Sequence, residues 1–328
     1  MRASLRFGFL AVVLSLAFFA AGAASAGEVV LYSSNQPELL DMVAQGFEKK
    51  TGNKVSVVRM GTGEAMKRIQ AEKENPLADV FWSGDVAVLE NAKQNFAPYK
   101  SPEAAVLPKH YVEKDGLWTA ANTHLMIIMV NTKLVPAAEA PKAWKDLLDP
   151  KWKGKLVMAS PEKSGSAYAQ LYGLHKLFGW DGVKKLMDNA KILDSSSLIY
   201  KGVAEGEYAL GLTMEYAAYR YVAGGAQDVA IVYPREGVFD APEGAAIMAG
   251  CKHPKEARQL MDYLLSKDLE GEVFIKHFRR PARPDTGATV QGLPATADVK
   301  VLPGFDPMEA NALQKELLAK WKDLILEK

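Results

Sequence analysis

The chain has 328 residues, of which 48% are hydrophobic and 24% are charged, and Cys251 is its single cysteine. This composition is typical of a globular protein with two domain-sized units and excludes a disordered or fibrous chain. With 40 basic against 39 acidic side chains, the chain lacks the positive excess that binds nucleic acid or a membrane surface. A single cysteine also excludes an internal disulfide and every zinc or redox site of the CxxC type.

The first 26 residues have the pattern of a cleavable signal peptide. Arg2 and Arg6 precede an apolar run from Phe7 to Phe19, and Ala24-Ser25-Ala26 supplies the small residues that signal peptidase requires. The apolar run is shorter than the ~20 residues of a membrane span. We therefore expect export to the periplasm and a mature chain of 302 residues.

Short β-rich runs alternate with helical patterns along the mature chain. The runs predict strands at residues 28–32, 54–59, 78–82, 125–130, 155–159, 208–213, 229–233 and 244–248. Apolar residues at helical spacing predict helices at residues 38–50, 64–74, 144–148, 167–178, 181–189, 199–205, 255–265, 270–277 and 308–326. This alternation is typical of an α/β fold with doubly wound, mostly parallel sheets, whose ligand crevice lies at the carboxyl ends of the strands.

No long linker or internal repeat divides the chain. We therefore expect two α/β lobes joined by strands that cross between them near residues 124–131 and 243–248. The expected segments are residues 27–125 plus about 246–300 for lobe 1, residues 126–245 for lobe 2, and residues 301–328 for a C-terminal helix that packs on either lobe.

Polar, glycine-containing turns follow several of the predicted strands. They comprise Ser33 and Ser34, Gly61-Thr62-Gly63, Ser83 and Asp85, and Ser164-Gly165-Ser166, with Ser197 before a later helix. Helix N-termini offer free N–H donors and small hydroxyl side chains add more, so these turns suit a phosphate, phosphonate or carboxylate. The alternative is that the residues only cap their helices.

Two further groups are candidates for ligand contact. Glu215 and Tyr216 would lie at the carboxyl end of a buried strand, whereas Tyr219 and Tyr221 are expected to pack on the following helix. The basic run at residues 279–283 could neutralise an anion, but a charge cluster more often forms a solvated surface.

Common enzyme motifs give no support for catalysis. The sequence has no GxSxG nucleophile elbow, HExxH motif or Walker loop, and no two of its five histidines stand at metal-ligand spacing. We therefore expect a protein that is not an enzyme and carries no resident cofactor.

Several segments resemble periplasmic solute-binding proteins of ABC importers, in the group that binds ferric ion, 2-aminoethylphosphonate, sugar phosphates or thiamine. The resemblance is carried by VVLYSS, FEKKTGNKV, RIQAEKENPLADVFWSGD, LLDPKWKGKLVMASPEKSGSAY and GLTMEYAAYRYVAGG. It covers essentially the whole mature chain and implies two lobes that close on a small solute, with delivery to a membrane permease.

The resemblance leaves the ligand open. Ferric-binding relatives present a histidine in the first loop and adjacent tyrosines after the late strand, whereas this chain has Gln36 and the pair Glu215-Tyr216 at those places. Ferric ion would then be held by Tyr216 and Glu215, with Asp85 as a third ligand. These donors are few for a hard ion that prefers several anionic oxygens.

The hydroxyl-containing turns are more similar to the phosphate-binding loops of organophosphorus-binding relatives. In that reading Thr62, Gly63 and the turn at residues 164–166 donate to the anion, and Glu215 meets an ammonium or a sugar hydroxyl. We therefore expect a monomeric carrier of a phosphate- or phosphonate-bearing solute. The alternatives are a ferric-ion carrier and an exported enzyme on the same fold.

Overall fold

The computed structural model describes residues 27–326, and the expected signal peptide at residues 1–26 lies outside the described residues. In this part of the chain no helix is both long and apolar enough to span a membrane.

The N-terminal part of the chain forms three parallel strands with helices between them. Its elements are β1 (Glu28–Ser33), α1 (Pro37–Thr51), β2 (Lys54–Arg59), α2 (Thr62–Ala71), β3 (Val80–Asp85), α3 (Val86–Ala92) and β4 (Phe96–Ala97). β1 pairs in parallel with β2 on one side and with β3 on the other. Pro37 occupies the first turn of α1, where its missing N–H costs nothing, and Gly52 ends the helix at a φ of 77°.

The middle of the chain repeats this arrangement after one long strand. Its elements are β5 (Thr119–Asn131), β6 (Leu156–Ala159), α4 (Gly165–Asn189), β7 (Ala190–Leu193), α5 (Ser196–Ala204), β8 (Leu210–Met214), α6 (Glu215–Ala223) and β9 (Val229–Val232). β6 pairs in parallel with β7 and β8. The helices predicted at residues 167–178 and 181–189 are the two helical parts of α4, which are separated by the non-helical residue Gly179 with a φ of 64° and a ψ of −173°.

The last part of the chain returns to the first lobe and then crosses again. Its elements are β10 (Phe239–Met248), α7 (Pro254–Leu264), α8 (Lys267–His277), β11 (Arg280–Pro281) and α9 (Pro307–Leu326).

The strand order β2-β1-β3-β10-β5-β8-β6-β7 places the two long strands at the centre of the sheet. β10 pairs with β3 through residues 243–247, while β5 pairs with β8 through residues 126–130. β5 and β10 also pair with each other, so both strands run through both lobes. The predicted α/β fold with crossing strands is confirmed. Both strands begin earlier than predicted, because their polar first halves do not read as apolar runs.

Two separate hydrophobic cores define the lobes. The core of lobe 1 includes Phe47 and Phe81, and the core of lobe 2 includes Trp144 stacked on Phe239 at 4.4 Å between ring centroids. Trp321 of α9 is buried in the core of lobe 2. The same helix reaches lobe 1, because Asn91 on α3 donates from Nδ2 to Gln314 Oε1 at 2.6 Å.

Candidate functional site

A cleft of about 560 Å³ lies between the lobes. Its walls are the segments that follow β1, β2 and β3 in lobe 1 and β6, β7 and β8 in lobe 2, as expected at the carboxyl ends of parallel strands. The predicted residues that line it are Ser34, Gly61, Thr62, Gly63, Ser83, Asp85, Ser164, Gly165, Ser166, Ser197 and Tyr216.

The lobe 1 side of the cleft contains a cluster of three hydroxyl groups, which we call hydroxyl cluster 1. Ser34 Oγ lies 2.9 Å from Thr62 Oγ1 and 2.8 Å from Ser83 Oγ. Ser83 has a φ of 125°, a strained conformation for a residue with a side chain. The strain is offset in part because its hydroxyl also accepts a hydrogen bond from the Ser34 N–H. Three turns that are distant in sequence are thereby fixed together.

The lobe 2 side contains a second group of three, hydroxyl cluster 2. Ser164 Oγ lies 3.0 Å from Ser166 Oγ and 2.6 Å from Ser196 Oγ, and Ser166 Oγ lies 2.9 Å from Ser196 Oγ. Each hydroxyl has one proton and two lone pairs, so the cluster can reorient its protons toward a bound anion.

Capping explains only part of this arrangement. Ser164 Oγ accepts from the Ala167 N–H at 3.3 Å and caps α4, and Asp85 caps α3 by accepting from the Ala87 N–H at 2.8 Å. In contrast, α2 and α5 begin without a side-chain cap, so their first N–H groups have no such partner. These N–H groups, at the positive end of each helix dipole, are available to an anion.

Asp85 lies on the lobe 1 wall of the cleft and faces Gly165 on the lobe 2 wall. A Cβ atom added to Gly165 would stand 3.8 Å from Asp85 Cβ, so the lobes already approach each other at this point. Burial raises the pKa of Asp85 to about 7, although the Ala87 N–H opposes the shift, and the nearby Glu243 and Asp240 add to it.

We expect the Asp85→Asn variant to be more stable than the wild type at pH 8. The ordinary pKa of the group is 3.8, so above pH 7 the ionised carboxylate destabilises only the folded protein. The cost is relieved as the pH falls from about 7 to 4, because the folded protein then binds a proton before the unfolded chain does. At ~1.4 kcal/mol per pKa unit the difference at pH 8 is at most about 4 kcal/mol.

The measurement is urea unfolding of both proteins between pH 4 and pH 8. Asn retains an oxygen that can cap α3, so the change in the free energy of unfolding does not include the loss of a helix cap. Asp194→Asn serves as the control, because Asp194 is an exposed acid paired with Lys163. A stability difference that does not vary with pH would contradict the assignment.

The floor of the cleft is formed by a buried arginine and its partners. Arg279 Nη1 donates to Glu243 Oε2 at 2.7 Å and lies 2.9 Å from His124 Nε2, and its Nη2 donates to Gln36 Oε1 at 2.9 Å. Its guanidinium lies 4.4 Å from the centre of the Tyr216 ring. Burial alone would raise the pKa of Glu243, but Arg279 and His124 outweigh it and hold the pKa at about 2.

Two predicted site residues do not line the cleft. Ser33 is fully buried, and its hydroxyl accepts from the Asn35 N–H at 3.2 Å. Glu215 is 1% exposed, and its two oxygens accept from Arg280 Nε at 2.7 Å and Arg280 Nη2 at 2.8 Å. The Tyr233 hydroxyl also donates to Glu215. The carboxylate is therefore held inside the protein by this ion pair and does not line the cleft.

The basic run at residues 279–283 is not a solvated surface. Arg279, Arg280 and Arg283 are 3%, 1% and 6% exposed, and each is paired with a carboxylate. Tyr219 packs on Phe278, as expected of a structural ring.

Other residues of the cleft were not predicted from the sequence. They include Asn35, Gln36, Arg59, His124, Tyr200 and Glu243. Ser196 and Arg279 also line the cleft; they belong to the serine run at residues 195–197 and the basic run at residues 279–283, for which anion contact was one of two interpretations. The position of Gln36 in the turn after the first strand was a usable signal. Nothing local identified His124, since it lies inside a strand. Among residues 27–326, no three His, Cys, Asp or Glu side chains are grouped so that they could hold a metal ion.

Comparison with known proteins relates this chain to solute-binding proteins. A family model described as bacterial extracellular solute-binding protein matches residues 75–311. The solved structure of the periplasmic binding protein AfuA from Actinobacillus pleuropneumoniae, with fructose-6-phosphate bound, superposes with a TM-score of 0.82. It is 27% identical in sequence, and the match covers 92% of this chain and 99% of that one.

Two curated relatives differ in the ligand that their names give. The Fe(3+)-binding periplasmic protein of Serratia marcescens is 26% identical over 81% of each chain. The "Putative 2-aminoethylphosphonate-binding periplasmic protein" of Salmonella typhimurium is 26% identical over 73% of this chain and 72% of its own. The names of these two relatives therefore include an organophosphorus solute and ferric ion.

Proposed function

Because the chain belongs to the bacterial extracellular solute-binding proteins, we propose that its cleft captures a small solute that carries a phosphate or phosphonate group. The protein would work in the periplasm and deliver the solute to the permease of an ABC importer. The observation that carries the proposal is that hydroxyl clusters 1 and 2, each beside an uncapped helix N-terminus, line one cleft from opposite lobes.

Because the hydrogen-bond donors are divided between the two lobes, solute binding is coupled to lobe closure. A solute bound to one lobe reaches the donors of the other lobe only when the lobes approach each other. Its binding energy therefore favours the closed state over the open one, to the extent that hydrogen bonds to the second lobe form only on closure. The central strands β5 and β10, which run through both lobes, are the natural place for the hinge.

Ferric ion is the second candidate because of the iron-binding relative. Tyr216 lines the cleft and supplies one phenol oxygen. The centre of the His124 ring lies 5.0 Å from the centre of the Tyr216 ring. Glu215, however, holds a buried ion pair with Arg280 and would have to break it before binding the metal. The donors near Tyr216 thus favour an anion over a trivalent cation.

The proposal is tested by identifying what the natively expressed protein carries. Mass spectrometry and a metal assay of the purified protein would be followed by calorimetric titration with fructose 6-phosphate, 2-aminoethylphosphonate, inorganic phosphate and ferric citrate. We expect binding of a phosphorus compound, recovered unchanged after long incubation. A visible phenolate-to-iron absorption band on adding ferric citrate would instead support iron, and turnover of the solute would support an enzyme.

A further inference from the structure

Arg279 has one donor that the protein leaves unused. The residue is 3% exposed on the floor of the cleft, and both of its terminal nitrogens are paired, with Glu243 and Gln36. Its Nε has no partner, although almost every buried polar group in a folded protein has one. Because Arg279 lines the cleft, an acceptor on a bound ligand would satisfy this buried donor.

The guanidinium cannot turn to satisfy Nε by itself. Glu243 lies on a central strand, Gln36 precedes α1 in lobe 1, and the Tyr216 ring of lobe 2 packs on the guanidinium at 4.4 Å. The low pKa of Glu243 keeps its carboxylate ionised, so this ion pair persists over the physiological pH range. Arg279 is therefore held in one orientation from both lobes.

Asn35 has a second unpaired donor, and this residue lines the same cleft. It is 1% exposed, and its Nδ2 has no hydrogen-bond partner. The Asn35 carbonyl accepts from Arg59 Nε at 2.8 Å, which brings another guanidinium to this side of the cleft. The surroundings of Asn35 therefore favour an electron-rich group over a cation.

We propose that Arg279 Nε and the Asn35 amide bind a hydrogen-bond acceptor at the second end of the solute. The solute would then be an organic phosphate or phosphonate that also carries a carboxylate, carbonyl or hydroxyl oxygen, and not one that ends in an ammonium. This inference rests on the proposed function and adds a second recognition element to it. An ammonium-bearing solute would instead need an acid with a free oxygen, for which Asp85 is the candidate.

The test is a calorimetric titration of the full-length mature protein with matched phosphonates. Each compound has a spacer of two, three or four carbons and ends in a carboxylate, an ammonium or a methyl group. At the best spacer length we expect the carboxylate to bind about tenfold or more tightly than the methyl compound, as for a hydrogen bond to a charged group. The ammonium compound should bind more weakly than the carboxylate at every length.

Two variants connect the preference to these residues. Arg279→Lys keeps the charge beside Glu243 but removes Nε, and Asn35→Leu removes the amide with little change in size. Arg279→Lys should reduce the preference for carboxylate over methyl to within about threefold, and Asn35→Leu should remove a part of it. The preference is the ratio of two Kd values measured on the same variant, so a general change in anion affinity cancels. Arg283→Lys is the control, because Arg283 is a buried arginine paired with Asp285 and Glu103 outside the cleft.

The outcomes separate this inference from the proposed function. If phosphonates bind but the carboxylate has no advantage, or keeps its advantage in both variants, the acceptor site is wrong and the anion site stands. A preference for the ammonium compound also overturns the inference and assigns the second group to Asp85. If neither the phosphonates nor inorganic phosphate binds, the proposed function and this inference are both overturned.

Discussion

Replacing Ser164 and Ser166 together by alanine is expected to weaken the binding of a phosphate- or phosphonate-bearing solute by about 1–3 kcal/mol, or roughly 5- to 150-fold in Kd. The two hydroxyls are neighbours in hydroxyl cluster 2. Their removal also takes away both hydrogen-bond partners of Ser196 Oγ in that cluster. The loss should be largest for a dianion, since a hydrogen bond to a charged group is stronger than one to a neutral group.

The double variant also loses the cap of α4, and the control has to account for this. Ser266→Ala is suited to that purpose, because Ser266 Oγ caps α8 through the Leu269 N–H at 3.4 Å and does not line the cleft. Both proteins should lose about 1 kcal/mol of stability from the missing cap. Only the variant in the cleft should lose affinity in calorimetry. Unchanged solute binding in Ser164→Ala with Ser166→Ala would remove these hydroxyls from the site.

The fold was largely predictable because its signals are local. The run KVSVVR predicts a strand at residues 54–59, and β2 has those same bounds. The helical spacing in residues 255–265 likewise corresponds to α7, shifted by one residue. Apolar periodicity depends on which face of an element is buried, and a few neighbouring residues are enough to reveal it.

The walls of the cleft were predictable for a topological reason. In a parallel sheet the carboxyl ends of the strands lie at one edge, so turns that are distant in sequence, such as those at Thr62 and Ser83, come together. Hydroxyl cluster 1 is the result of this convergence. The sequence could therefore indicate where the donors lie without any knowledge of their contacts.

The floor of the cleft was not predictable, because its contacts are made over long sequence separations. Arg279 and Gln36 in the floor are 243 residues apart. Glu215 and Arg280, which form a buried ion pair outside the cleft lining, are 65 residues apart. From the sequence alone, a run of arginines predicts a solvated surface, and an acid at the end of a strand predicts a residue that binds the solute. Which of these side chains turns inward depends on a partner that local pattern does not reveal.

The ion pair between Glu215 and Arg280 supports the largest effect on stability that we expect. Glu215→Gln should reduce the free energy of unfolding by about 3–5 kcal/mol, because Arg280 remains buried without a full counter-charge. Both residues are 1% exposed, and the other acceptors of Arg280, Thr296 Oγ1 and the Pro294 carbonyl, each at 3.0 Å, are neutral. Urea unfolding at neutral pH measures the change.

Two further variants test whether the loss of stability comes from the buried unpaired charge. The exposed pair of Lys320 and Glu316 is the matched control, and Glu316→Gln should change stability little. In the double variant Glu215→Met with Arg280→Met, both charges are absent, so it should recover part of the stability that Glu215→Gln loses. At temperatures where the Glu215→Gln variant is folded, its Kd for the solute should be within a few-fold of the wild-type value, since the carboxylate does not line the cleft. A large loss of affinity at unchanged stability would restore Glu215 to the binding site, where the sequence alone had placed it.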